Sequence, residues 1–193
     1  HLSYLGNPCS YIWLSTISPS LVSYELSKAY ENGMQKFWMI NVGDIKPAEA
    51  EFEFCMELAW DVEEWAPERA WQFSRWWSAK TFGEELADEL AEIRLEHYRL
   101  AAQSKPETIR EVTFTIEEMV QRIKDYQQLT GRIYALEGSI PDRLKDAYFE
   151  LVTYPIVATA DMNYKLVGAK LSYWYAAMGD RQNSLAYASL SRY

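Results

Sequence analysis

Asn41, Asp44 and Lys46 stand in one short turn, Asn-Val-Gly-Asp-Ile-Lys-Pro, that interrupts an apolar run beginning at Lys36. An amide, a carboxylate and an ammonium grouped this closely can hydrogen-bond a polar ligand or hold an anion. Gly43 allows an unusual backbone angle or a close approach by the ligand. Pro47 fixes the start of the next helix, whose free N–H groups favour negative charge. Lys46, beside that start, is therefore a candidate carboxylate clamp. A plainer reading fits the same residues, an Asp44 to Lys46 contact in an ordinary surface turn.

A second group opens the chain. His1 and Tyr4 lie three apart ahead of a Gly-Asn-Pro turn, and the pair could hydrogen-bond a polar ligand, or His1 could be a solvated side chain. Tyr11 and Trp13 could stack on a sugar ring or cover the helix behind them. Glu49, Glu53, Glu57 and Asp61 recur every four residues and form a single-sign stripe, read as a solvated face or as the partner of a basic surface elsewhere. His97 falls inside an apolar stripe, which points to a core or boundary histidine rather than a ligand. Trp71, Trp76 and Trp77 can serve as a glycan platform or as packing, with packing the simpler use.

The elements that must carry these groups follow from caps and periodicity. Ser18-Pro19 starts a helix and Gly33 stops it, giving a span of about 19 to 32. Residues 36–42 are continuously apolar, as in a strand buried on both faces of a parallel sheet. Ligands in such architectures bind beyond the carboxyl ends of strands, which is where Asn41, Asp44 and Lys46 fall. After Pro47 a helix is predicted to Trp60. Beyond Pro67 helices are predicted around Leu86–Leu100, from about Ile116 to Leu136, and from Ser139 to Met178, with a short one after Asp180. The last long one is expected to kink or split at Pro155.

The totals set limits. With 193 residues and 49% apolar composition the chain can build a substantial core. A formal charge of −9 argues against non-specific binding to nucleic acid or an anionic membrane. No apolar run approaches the ~20 residues of a membrane span, and no basic segment followed by an apolar one opens the chain. Mature, soluble protein is the expectation. Cys9 and Cys55 lack metal-type spacing and are read as free thiols; neither a metal nor a cofactor is expected. The opening "HLSYLG", without Met, reads as a fragment.

The stretches "HLSYLGNPCSYIWLSTISPSL", "ELSKAYENG" and "FWMINVGDIKPAE" resemble glycoside hydrolase family 115, the xylan α-1,2-glucuronidases. The likeness continues through "CMELAWD" and "KPE" and is thinner beyond, mainly "YFELVTYP". It implies a (β/α)₈ barrel followed by a helical bundle, with residues 1–4 ending the seventh strand and 36–42 forming the eighth. It implies that His1 and Tyr4 match substrate-pocket positions and that Asn41, Asp44 and Lys46 match the motif at the mouth. Inverting glycosidases need an acid and a base about 6.5–9.5 Å apart. By the resemblance both belong to earlier strands, leaving Asp44 as the one acid here placed to substitute.

The expected architecture is mostly α: terminal β/α units of a (β/α)₈ barrel over residues 1–66, then an α-helical bundle over 67–193. The resemblance implies a hydrolase removing α-1,2-linked glucuronic acid, or its 4-O-methyl form, from xylan by inversion. Its partner would be glucuronoxylan or a related uronate-bearing glycan, in a periplasmic or extracellular setting, and a homodimer of the parent enzyme is left open. Two alternatives stand beside it, a related glycosidase on another uronate-bearing glycan and a non-catalytic helical module for assembly or glycan contact. The chain alone is expected to be inactive, since an incomplete barrel leaves sheet edges and apolar faces uncovered.

Overall fold

A computed structural model describes residues 14–40, 45–46, 48–110 and 113–192. The first helix, α1 (Pro19–Glu31), begins where the sequence places it: the Ser18 side chain accepts from the Leu21 N–H and Pro19 occupies the first turn. It ends at Gly33, whose φ of +92° is a conformation that side-chain-bearing residues rarely adopt. Next comes α2 (Glu49–Trp60), followed by turns, α3 (Phe73–Phe82) and α4 (Glu84–Gln103), the last two separated by Gly83 at φ +102°. The start of α5 (Ile116–Leu136) is fixed by a reciprocal cap, with the Thr115 hydroxyl accepting from Glu118 N–H and the Glu118 carboxylate accepting from Thr115 N–H.

Pro155 breaks the next helix as predicted, and the break has a defined form. A short α6 (Lys145–Tyr148) widens into a π-helical turn, Phe149–Thr153, before α7 (Tyr154–Ala177) resumes. Pro155 has no N–H, so the Leu151 carbonyl cannot receive the usual helical bond from it. Arg94 on α4 donates to that carbonyl instead, at 3.4 Å. The chain closes with α8 (Arg181–Leu190), capped by Asp180, whose carboxylate accepts from the Asn183 N–H.

Helix α3 packs on α4, α5 on α7, and α7 on α8. The main core takes Leu26, Phe54, Phe73, Leu90, Tyr126 and Ile156 into one cluster, so side chains from both sides of Pro67 share it. A smaller cluster of Ile109, Met119, Ile123, Val167 and Leu171 joins α5 to α7. Arg122, buried on α5, donates to the carbonyls of Leu100 at 3.0 Å and Ser104 at 2.8 Å and to Asn163 Oδ1 at 2.6 Å. The Leu100 carbonyl lies in the last turn of α4, which leaves its carbonyls without helical donors, so Arg122 caps that helix from its neighbour.

One expectation requires correction. The described part of the 36–42 segment is not a strand buried on two faces. Only Ile40 makes a single bridge, and Phe37 and Met39 are 76% and 58% exposed. A strand is sustained by lateral partners for its N–H and C=O groups, and among the described residues no sheet exists to provide them. Apolar continuity reported side chains suited to burial without saying which chain buries them. Among the described residues, no helix is long and apolar enough to cross a membrane.

Candidate functional site

Of the residues singled out in the sequence, His1, Tyr4, Asn41 and Asp44 lie outside the described residues, as do Tyr11, Trp13, Pro47 and Cys9. Lys46 is described. It stands in a turn just ahead of α2, and its side chain is 72% exposed. Its ammonium meets Glu150 Oε1 at 2.8 Å and Glu49 Oε1 at 3.4 Å. The hydrogen bond to Glu150, followed by that residue's charge, raises the Lys46 pKa above its ordinary value. The ammonium therefore stays charged, and its described partners are these two carboxylates.

Glu150 belongs to the π-helical turn created by the Pro155 break, so the same backbone irregularity that splits the helix carries the partner of Lys46. Irregular turns of this kind often mark functional positions. Phe149 and Tyr154 bracket the turn with ring centroids 6.3 Å apart and planes tilted by 37°. Together with Asp146 and Glu150 they line a shallow depression. Carboxylates accept hydroxyl hydrogen bonds and aromatic faces take the apolar side of a sugar ring, so this corner has the chemistry of a glycan contact. Sequence reasoning found Lys46 but not Glu150, Phe149 or Tyr154. The signals were present in "YFELVTYP" and in the helix break at Pro155.

Beneath this corner a buried polar network holds the segment that leads in from the N-terminal side. Glu51 Oε1 accepts from the hydroxyls of Ser15 and Tyr98, the latter at 3.0 Å, and Arg94 Nη2 donates to the Tyr98 oxygen at 2.6 Å. The Arg94 guanidinium lies 4.4 Å from the Trp77 ring centroid. His97 donates through Nε2 to the Ser15 carbonyl at 2.6 Å, which leaves Nδ1 as a buried acceptor without a partner. Burial lowers its pKa to about 4, so the ring is neutral. It is a core histidine, as its place in the apolar stripe suggested. Burial raises the Glu51 pKa, with the Arg94 charge opposing that rise. Nothing in the sequence pattern marked Glu51 as buried.

The acidic stripe on α2 is only partly solvated. Glu49 pairs with Lys46, while Glu53 accepts from Trp77 Nε1 at 3.1 Å and pairs with Lys80. Asp61 caps the turn that follows, accepting from the Glu63 and Glu64 N–H groups. Trp77 is buried, with Trp76 and Trp71 more exposed, so the tryptophan cluster contributes at least one ring to packing. Cys55 is a buried free thiol, its pKa pushed up to about 12 by burial. Among the described residues no group of three or more His, Cys, Asp or Glu side chains could hold a metal ion.

Residues 1–108 match the sequence model of glycosyl hydrolase family 115. The chain is also similar in structure to a family GH115 4-O-methyl-alpha-glucuronidase with specificity for decorated arabinogalactans, at 32% sequence identity and a TM-score of 0.83. That likeness covers 98% of this chain and 27% of the solved one, so the chain spans about a quarter of the length of the enzyme it resembles. No curated protein matches the sequence.

Proposed function

Since the chain belongs to glycosyl hydrolase family 115, we propose that it is the closing part of a glycosidase that releases α-linked glucuronic acid, or its 4-O-methyl form, from a decorated polysaccharide. The observation that carries this reading is the family match over residues 1–108, which spans both the 41–47 motif and helices α1 to α4. In this reading residues 1–66 close a (β/α)₈ barrel and residues 67–193 form the helical domain beside it. The groove of 260 Å³ lined by Tyr30, Phe37, Trp38, Phe52 and Met56, with Trp60 91% exposed nearby in sequence, is the kind of surface neighbouring barrel elements bury. That exposed face supports the assignment.

At the proposed mouth, His1 and Tyr4 hydrogen-bond sugar hydroxyls, Asn41 and Asp44 fix the sugar's orientation, and Lys46 offsets the uronate charge. The acid that protonates the departing oxygen and the base that activates water come from earlier strands of the barrel, with Asp44 the candidate stand-in from this chain. Xylan, an α-1,2 linkage and inversion of configuration are the finer parts of the proposal. Water attacks the anomeric carbon from the face opposite the departing oxygen, which requires the two carboxyl groups to stand about 6.5–9.5 Å apart. A secreted or periplasmic location follows from a polysaccharide substrate.

A second substrate has a specific observation in its favour, because the similar solved enzyme is specific for decorated arabinogalactans. Release of glucuronic acid by the full-length enzyme from glucuronoxylan, arabinogalactan and pectic glycans, read by chromatography, separates the two. The xylan reading expects the fastest release from glucuronoxylan. Release from arabinogalactan alone replaces xylan as the substrate, and release from none removes the glucuronidase reading.

A further inference from the structure

We propose that Glu150 is a specificity-determining residue for the acidic sugar: its carboxylate occupies the Lys46 ammonium in the place a uronate carboxylate takes, and the substrate displaces it. This rests on the glucuronidase reading and on Lys46 as its charge clamp.

Three observations converge on it. The contact between Glu150 Oε1 and Lys46 Nζ, at 2.8 Å, is the monodentate carboxylate–ammonium pair that a glucuronate would itself make. Lys46 lies two residues beyond Asp44 in the 41–47 motif, and at 72% exposure its ammonium is open to a ligand. Glu150 reaches it from 104 residues away, on the π-helical turn beside Phe149 and Tyr154, so the pair joins the mouth motif to the only described turn of that type.

Charge explains what the arrangement does. One ammonium faces two carboxylates, Glu49 and Glu150, and Asp146 lines the same depression as Glu150. The local balance is negative and repels a third carboxylate until one of the two withdraws. Glu49 lies three residues from Lys46 on the same stretch of chain, so local backbone geometry keeps that pair together. Glu150 comes from a separate element and, with its side chain 35% exposed, can turn to water. An acidic sugar then exchanges one carboxylate for another on the same ammonium, whereas a neutral sugar cannot make the exchange.

The test is calorimetric binding of free D-glucuronic acid and of D-glucose to the full-length enzyme and to its Lys46→Ala, Glu150→Gln and doubly substituted forms. Glu150→Gln keeps the side chain's shape and removes the competing charge. It is expected to tighten glucuronic acid binding about two- to fivefold, the range carried by an exposed ion pair, while leaving glucose unchanged. Lys46→Ala should weaken glucuronic acid binding, and Glu150→Gln should have no further effect on that background. Weaker or unchanged glucuronic acid binding in Glu150→Gln overturns the proposal and makes the pair a fixed tie. Tightening that persists without Lys46 overturns it as well. Unchanged binding in Lys46→Ala removes the clamp itself, and absence of glucuronic acid binding by the unsubstituted enzyme removes the glucuronidase reading beneath both.

Discussion

The segment from Leu14 to Trp65 and the helices beyond Pro67 share one core but finish their surfaces differently. Among the described residues, ten large apolar side chains are exposed before Pro67 and nine after it, although the second stretch is more than twice as long. Helices α4, α5 and α7 bury their stripes against one another, and Arg122 of α5 closes the last turn of α4. The earlier segment turns one face, centred on Leu26 and Phe54, into that core, and presents Phe37, Met39, Phe52, Met56 and Trp60 outward. Hydrophobicity that one region satisfies internally is left available by the other. The difference teaches that the helices beyond Pro67 cover more of their apolar surface for their length, while the segment ahead of Pro67 leaves more of it exposed.

The comparison breaks most visibly at Phe54, which is fully buried among Trp65 and Phe73 with ring centroids 6.1 and 4.9 Å away. Phe54→Ala should cost about 3–5 kcal/mol in urea denaturation, because both regions lose their shared contact. A cost near zero would mean that the two regions fold independently.

An effect of intermediate size comes from His97. Its pKa falls from 6.5 to about 4 on folding, so the unfolded chain binds a proton more readily between those values. The contribution is fully present above pH 6.5 and is lost as the pH falls toward 4. Glu51 works in the opposite sense, its raised pKa giving a contribution that is lost as the pH rises above 4.5. The stability difference between the protein and its His97→Gln variant isolates the imidazole. It should shrink by about 3 kcal/mol at most between pH 7 and pH 4. A difference independent of pH would contradict a neutral, buried ring.

The smallest effect is expected at Phe37. Phe37→Ser should change the stability of this chain by less than about 0.5 kcal/mol, as at other exposed sites. In the full-length enzyme the same substitution should cost about 1.5–3 kcal/mol if a barrel covers the face. Equal, negligible costs in both would remove the claim that the face is covered.

Much of the helical region was legible because its information is local. Ser18-Pro19, Gly33 and Pro155 each act within one or two turns, and the stripes of α4 and α5 repeat at helical spacing. His97 was legible for the same reason. Glu51 was not, since its partners Ser15 and Tyr98 lie 36 and 47 residues away and only the fold brings them together. Lys46 announced a positive charge beside a helix start, yet its partner 104 residues away could be inferred only with the position of the π-helical turn in hand. The reading of residues 36–42 as a doubly buried strand shows the converse. Their composition specifies burial, and a strand further needs neighbours that the described residues do not include.

The central claim, that this chain completes an α-glucuronidase, is tested most directly by proton NMR of glucuronoxylan during hydrolysis by the full-length enzyme. The account predicts that the first glucuronic acid signal is the β-anomer, with the α-anomer appearing later by mutarotation. An α-anomer at the outset would contradict inversion, and no released uronic acid from xylan or arabinogalactan would contradict the claim itself.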